Sequence, residues 1–142
     1  MKKIGVIYWS GTGNKKLMAE AVLKGASSTD SEVTISDVNK IKIDEVSKYD
    51  AIALGCPAMG FESVEESVML PFVKGLNGLI TGKKIALFGS YGWGIGEWME
   101  DWEKQIEAFG GVLIQEGLKV EEEPGDDELR ECHELGANLL LT

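Results

Sequence analysis

Three continuous apolar runs punctuate the chain. Ile4-Gly5-Val6-Ile7-Tyr8, Ala51-Ile52-Ala53-Leu54 and Ile85-Ala86-Leu87-Phe88 are each followed by a turn-forming segment. Runs of this length without alternation suit strands covered on both faces, as in a parallel sheet. Val33-Thr34-Ile35-Ser36-Asp37-Val38 alternates instead, which predicts a half-exposed strand at a sheet edge. Val112-Leu113-Ile114 and Leu118-Lys119-Val120 predict an interrupted last strand.

Helical spacing fills the gaps between these runs. Asn14 to Ser27 is expected as a helix with Leu17, Met18, Ala21, Val22 and Gly25 inward. Asp44 to Lys48 predicts a short helix. Val64 to Leu76 is a weak helical stretch, which Pro71 is expected to interrupt. Glu97 to Phe109 is a further helix, with Trp98 and Trp102 one turn apart as partial core. Asp126 to Leu141 is the last helix. Asp126, Asp127 and Glu128 complement the positive end of its dipole, and Leu129, Cys132, Gly136 and Leu139 face inward.

Strands alternate with helices, with no repeat, linker or low-complexity segment. The expected fold is a single doubly wound α/β domain over residues 1–142. The length of 142 residues matches one domain with a full core. In an all-parallel sheet, every turn that follows a strand lies at the same edge. The segments 9–14, 56–62 and 90–96 are therefore expected to converge where such folds bind ligands.

Charge narrows the partners. The chain carries 24 acidic and 14 basic residues, a net charge of −10. That surface repels phosphate backbones and anionic lipid, which excludes nucleic-acid and membrane binding and favours basic protein partners. No apolar run approaches a membrane span, and the start does not read as a signal peptide. Cys56 and Cys132 are far apart and lack metal-type spacing, so neither a disulfide framework nor a metal site is expected. The expected compartment is the cytoplasm.

The first loop, Ser10-Gly11-Thr12-Gly13-Asn14, offers two hydroxyls, an amide and two glycines just before a helix. Backbone N–H groups and the helix dipole then converge on an anion. An ordinary capped turn would need the same residues. The loop lacks the Gly-Lys-Ser/Thr ending of a P-loop, and Lys16 replaces the third dinucleotide glycine. In Ser90-Tyr91-Gly92-Trp93-Gly94, two aromatics flanked by glycine make a stacking platform for a flat ligand. Pro57-Ala58-Met59-Gly60-Phe61-Glu62 adds a thioether, a flexible glycine, an aromatic and an acid. His133, the only histidine, lies far in sequence from all three loops and is expected to be structural or solvated. Cys56 is expected as a packed thiol.

Taken together, the three loops resemble those of a short-chain flavodoxin of the anaerobic-bacterial type, and the resemblance covers essentially the whole chain. Ser10–Asn14 resembles the family's FMN-phosphate loop. Gly55–Gly60 and Gly89–Gly94 resemble its two isoalloxazine loops. The resemblance implies a flavodoxin-like fold with a five-stranded parallel sheet in the order 2-1-3-4-5. It implies non-covalently bound FMN and a low-potential one-electron carrier using the semiquinone/hydroquinone couple, in a ferredoxin-substitute role and without substrate turnover of its own. Partners would be basic surfaces of oxidoreductases, met transiently by a monomer.

By the same resemblance, Ser10, Thr12 and Asn14 hold the phosphate with the N–H groups of Gly11 and Gly13. Trp93 stacks on the outer flavin face and Met59 on the inner. Gly60 is the redox-linked peptide switch, and Glu62 accepts a hydrogen bond from flavin N3. Pro57, Ala58, Ser90 and Tyr91 line the ribityl chain or ring edge, with Gly92 and Gly94 flanking the stacked ring. Two positions depart from the family. Lys15 stands where a threonine is usual, and Phe61 where a small or polar residue is usual. A quinone or NAD(P)H reductase of the same fold is the alternative, and it would need a second substrate pocket. A non-redox anion-binding module would leave Trp93 and Met59 unexplained.

Overall fold

The computed structural model describes residues 2–9, 13–56, 69–91, 97–121 and 124–141. In chain order the elements are β1 (Lys2–Tyr8), α1 (Gly13–Ala26), β2 (Ser31–Asp37), a 3-10 turn (Ile43–Lys48), β3 (Ala51–Gly55), α2 (Met69–Gly75), β4 (Lys84–Tyr91), α3 (Glu97–Ala108), β5 (Val112–Leu113), β6 (Leu118–Glu121) and α4 (Asp126–Leu141). All strands pair in parallel, in the order β2-β1-β3-β4-β5, with β6 also on β4.

Period-two geometry splits the apolar runs between two cores. Ile4, Val6, Tyr8, Ala51, Ala53, Ala86 and Phe88 pack against Met18, Ala19 and Val22 of α1 and Cys132, Leu135 and Leu139 of α4. Ile7, Ile52, Leu54, Ile85 and Leu87 face the other way, onto α2, α3 and the 3-10 turn. β2 forms the edge as expected; its side chains alternate between half-buried and exposed from Ser31 to Ile35, whereas Ser36 and Asp37 are half-buried like Ile35.

β5 and β6 are one strand with a break. β5 pairs Leu113 with Ile85, while β6 resumes with Leu118 opposite Phe88. Five steps on one side therefore span three on the other, and the excess forms a bulge. Its Gly117 N–H donates to Glu103 Oε2 at 3.1 Å, which fastens the bulge to α3. A side chain at Gly117 would run into Met99.

The helix ends are satisfied as capping rules require. Glu128 Oε1 accepts the Gly125 N–H at 3.0 Å, the reach-back half of a capping box at the start of α4. α4 has no basic residue in its own last turn. Lys2 of β1 supplies one, donating from Nζ to the Leu140 carbonyl at 3.2 Å. Ser31 Oγ donates to the Ala26 carbonyl at 2.8 Å and closes α1.

Four expectations need correction. Leu17 is 52% exposed and does not face inward, and Ala21 is only half-buried. α1 lies against both the sheet and α4, so its buried stripe is Met18, Ala19, Val22, Gly25 and Ala26, turned one position from the expected face. Pro71 does not interrupt the described helix, because α2 runs through it from Met69 to Gly75. The expected helical stretch over residues 64–68 lies outside the described residues. In α4, Leu129 is half-buried and Leu135 takes the inward position beside Cys132, Gly136 and Leu139. Trp98 and Trp102 are complete core residues, at 1% and 2% exposure.

Candidate functional site

The register brings the three loop-bearing strands to one edge. Tyr8 pairs with Gly55, and Gly55 with Phe88. The ladder then runs one step further. Trp9 N–H donates to the Gly55 carbonyl at 3.0 Å, and Cys56 N–H to the Phe88 carbonyl at 3.1 Å. The segments beginning at residues 10, 57 and 92 thus leave neighbouring strands side by side. The strand order reverses between β1 and β3, so α1 covers one face and α3 the other. This is the switch point at which open parallel sheets form a ligand crevice.

Close backbone approach shapes the edge. A Cβ on Gly89 would collide with the Cys56 carbonyl oxygen, and a Cβ on Gly55 with the Phe88 ring. Glycine at both positions lets the ends of β3 and β4 draw together beneath the second and third loops. Ser90, one residue on, is buried at 5% exposure. Tyr8 is buried at the end of β1. Burial, then Asp37 and Glu20, raise its phenol above the ordinary value and keep it protonated.

The helix termini at this edge differ in charge. α4 opens with three acidic residues, whereas α1 has none in its first turn and carries Lys15 and Lys16 there. A helix of 14 residues with cations at its positive end is offset when an anion binds there. That donor set fits the phosphate of a nucleotide cofactor. On α3, Glu100 and Asp101 are exposed and line the flank of the same edge with negative charge.

Of the expected site residues, residues 10–12, 57–62 and 92–94 lie outside the described residues. For Gly13, Asn14, Lys15 and Tyr91 the described part is backbone, in α1 and at the end of β4. Cys56 is a buried thiol, as expected. His133 is exposed on α4. Among the described residues there is no cluster of His, Cys, Asp and Glu able to hold a metal ion, and no helix long and apolar enough to cross a membrane. Sequence reasoning did not anticipate that Trp98 and the Cys56 carbonyl both close on Gly89 at the base of two loops. Spacing carries no signal for that contact, which arises from where α3 docks.

The flavodoxin family model matches residues 6–136. The chain belongs to the flavodoxin family. It is 43% identical to a flavodoxin of Clostridium beijerinckii over 134 residues, covering 94% of this chain and 96% of that one. It is 46% identical to a flavodoxin of Megasphaera elsdenii over 136 residues, covering 94% and 95%. The solution structure of two-electron reduced Megasphaera elsdenii flavodoxin superposes with a TM-score of 0.88 at 40% identity, covering 98% of this chain and 99% of that one. As a flavodoxin, the chain is an FMN-binding electron carrier and not an enzyme with a substrate of its own, so the reductase alternative is not favoured.

Proposed function

We propose that this flavodoxin is a low-potential, one-electron carrier built as one domain over residues 1–142, with FMN held by the three loops at the C-terminal edge of its sheet. The observation that carries the reading is the alignment of β1, β3 and β4, which sends the three loops out side by side. Bound FMN supplies the redox chemistry, accepting and returning electrons one at a time.

Ser10, Thr12 and Asn14, with the N–H groups of Gly11 and Gly13, would bind the phosphate at the start of α1, where Lys15 adds a positive charge. Trp93 and Met59 would sandwich the ring and exclude water. Gly60 would turn its peptide so that the carbonyl accepts a hydrogen bond from the N–H at flavin N5, at the low torsional cost peculiar to glycine. Phe61 would stiffen that turn. Glu62 would fix the ring through flavin N3. Pro57, Ala58, Ser90 and Tyr91 would line the ribityl chain or ring edge, between Gly92 and Gly94 and the end of β4.

The chain's own charges set the direction of the potential. Glu62, Glu65, Glu66 and Glu97 would join the exposed Glu100 and Asp101 in placing carboxylates around the flavin. Negative charge there opposes the arrival of further electrons and lowers the potential. The same carboxylates would steer a basic oxidoreductase into a short-lived, salt-sensitive complex. We read the carrier as a cytoplasmic monomer.

The test is reconstitution. Protein stripped of flavin is expected to take up one FMN per chain, weakly if the phosphate is removed from the ligand. Equal affinity for riboflavin and FMN would contradict the phosphate site.

A further inference from the structure

We propose that Trp98 is a positioning residue for the bound flavin. Its indole, wedged beneath Gly89, fixes the spacing between the bases of the second and third loops. The proposal rests on the FMN reading above and names a residue outside the three loops.

The geometry is a three-way junction. A Cβ built on Gly89 would collide both with Cη2 of Trp98 and with the carbonyl oxygen of Cys56. The end of β3, the end of β4 and Trp98 of α3 therefore meet with no spare volume. Cys56 is the residue before the second loop, and Gly89 directly precedes Ser90 of the third. Trp98 lies just beyond the third loop on the helix that follows it. Its ring thus ties the exit of the third loop to its own entrance and to the entrance of the second. A change of volume at position 98 is passed straight to both loops, because a close-packed junction does not absorb it.

The chemistry of the side chain points to shape. Trp98 is 1% exposed, and among the described residues its Nε1 has no hydrogen-bond partner. Burying an indole N–H without an acceptor is costly, and an aliphatic residue would fill a core without that cost. The ring is held here for its extent: the atom that abuts Gly89 is Cη2, on the far edge of the indole, and a phenyl group lacks that second ring.

Trp102 is a matched control. It is one turn along α3, buried to 2% exposure, likewise without a partner for its Nε1, and stacked on Trp98 with centroids 6.0 Å apart at 29°. Unlike Trp98, it supplies none of the three atoms nearest to a Cβ at Gly89.

The experiment compares Trp98→Phe and Trp102→Phe in the FMN-loaded protein. Urea unfolding of the flavin-free forms measures the core cost, which is expected to be similar for the two. The FMN dissociation constant and the visible circular dichroism of the flavin bands measure positioning. Trp98→Phe is expected to weaken FMN about tenfold and to alter the flavin dichroism, with Trp102→Phe within about twofold of wild type. Equal effects of the two variants, or wild-type affinity and dichroism in Trp98→Phe, would overturn the proposal.

A second readout needs no substitution. On loading the wild-type chain with FMN, the indole N–H resonance of Trp98 is expected to shift more than that of Trp102, and the reverse order would also overturn it. Failure of the wild-type chain to take up FMN would be seen before any variant is compared, and would remove the parent reading along with this one.

Discussion

Gly25 of α1 faces the backbone carbonyl of His133 in α4 so closely that a methyl group at position 25 would collide with it. Gly136 answers from the other helix, where a Cβ would collide with the Val22 carbonyl. Two glycines thus let two backbones touch over the sheet. Helix propensity alone favours Gly25→Ala by ~1 kcal/mol. The obstacle is backbone on a packed partner, so overpacking should win and leave Gly25→Ala or Gly136→Ala less stable by about 1–3 kcal/mol. Urea titration decides the sign, and a stabilised variant would show that the helices separate freely.

Cys132 lies in the same core, fully buried. Burial first, then Glu131 and Glu128, push its thiol up from 9.0 to about 12. Thiolate is the reactive form, so native Cys132 should resist alkylation at pH 8 and react once urea opens the chain. The linkage has a definite sign. Above pH 9 the unfolded chain loses this proton while the folded chain keeps it, so the folded state binds more protons. This group's contribution to stability is intact below pH 9 and is lost progressively as the pH rises toward 12. Cys132→Ala should flatten that part of the alkaline stability profile.

Lys15 stands in the first turn of α1, which has no acidic residue. A cation there is unfavourable unless an anion binds nearby. Lys15→Thr is therefore expected to weaken FMN binding about two- to fivefold at low salt, from a charge effect of ~0.3–1 kcal/mol. The salt dependence of binding should fall with it. Unchanged affinity and unchanged salt dependence would refute a contact between Lys15 and the phosphate.

The elements were legible in the sequence where one physical demand dominates. Ile4–Tyr8, Ala51–Leu54 and Ile85–Phe88 must be buried on both faces, and they form β1, β3 and β4 in parallel. Val33–Val38 alternates because β2 has one neighbour. The gap between Leu113 and Leu118 announced the break between β5 and β6. Legibility failed where two demands compete. Leu17 belongs to the apolar periodicity of α1, yet α1 packs on α4 as well as the sheet, and Leu17 is turned out. Pro71 is a breaker by residue type, yet α2 runs through it from Met69 to Gly75. For the site, sequence named the loops and the register aligned their bases. The role of Trp98 was invisible because it depends on Gly89 and Cys56, distant in sequence and adjacent only after the sheet forms.

Gly60→Ala tests the peptide switch. Alanine penalises the conformations that glycine reaches freely. Loss of about one hydrogen bond, ~1 kcal/mol, should bring the two one-electron potentials closer by about 40 mV. Phe61→Gly is expected to act in the opposite direction, by loosening the turn. Potentials unmoved by either change would assign the switch elsewhere.

The central claim is that this flavodoxin carries single electrons on FMN, and stepwise anaerobic reduction followed by visible absorption tests it most directly. The account predicts flavin bands in the oxidised protein, a distinct long-wavelength absorbance at half-reduction, and bleaching only with the second electron. Direct passage from oxidised to fully reduced bands, with no third species at any point of the titration, would contradict it.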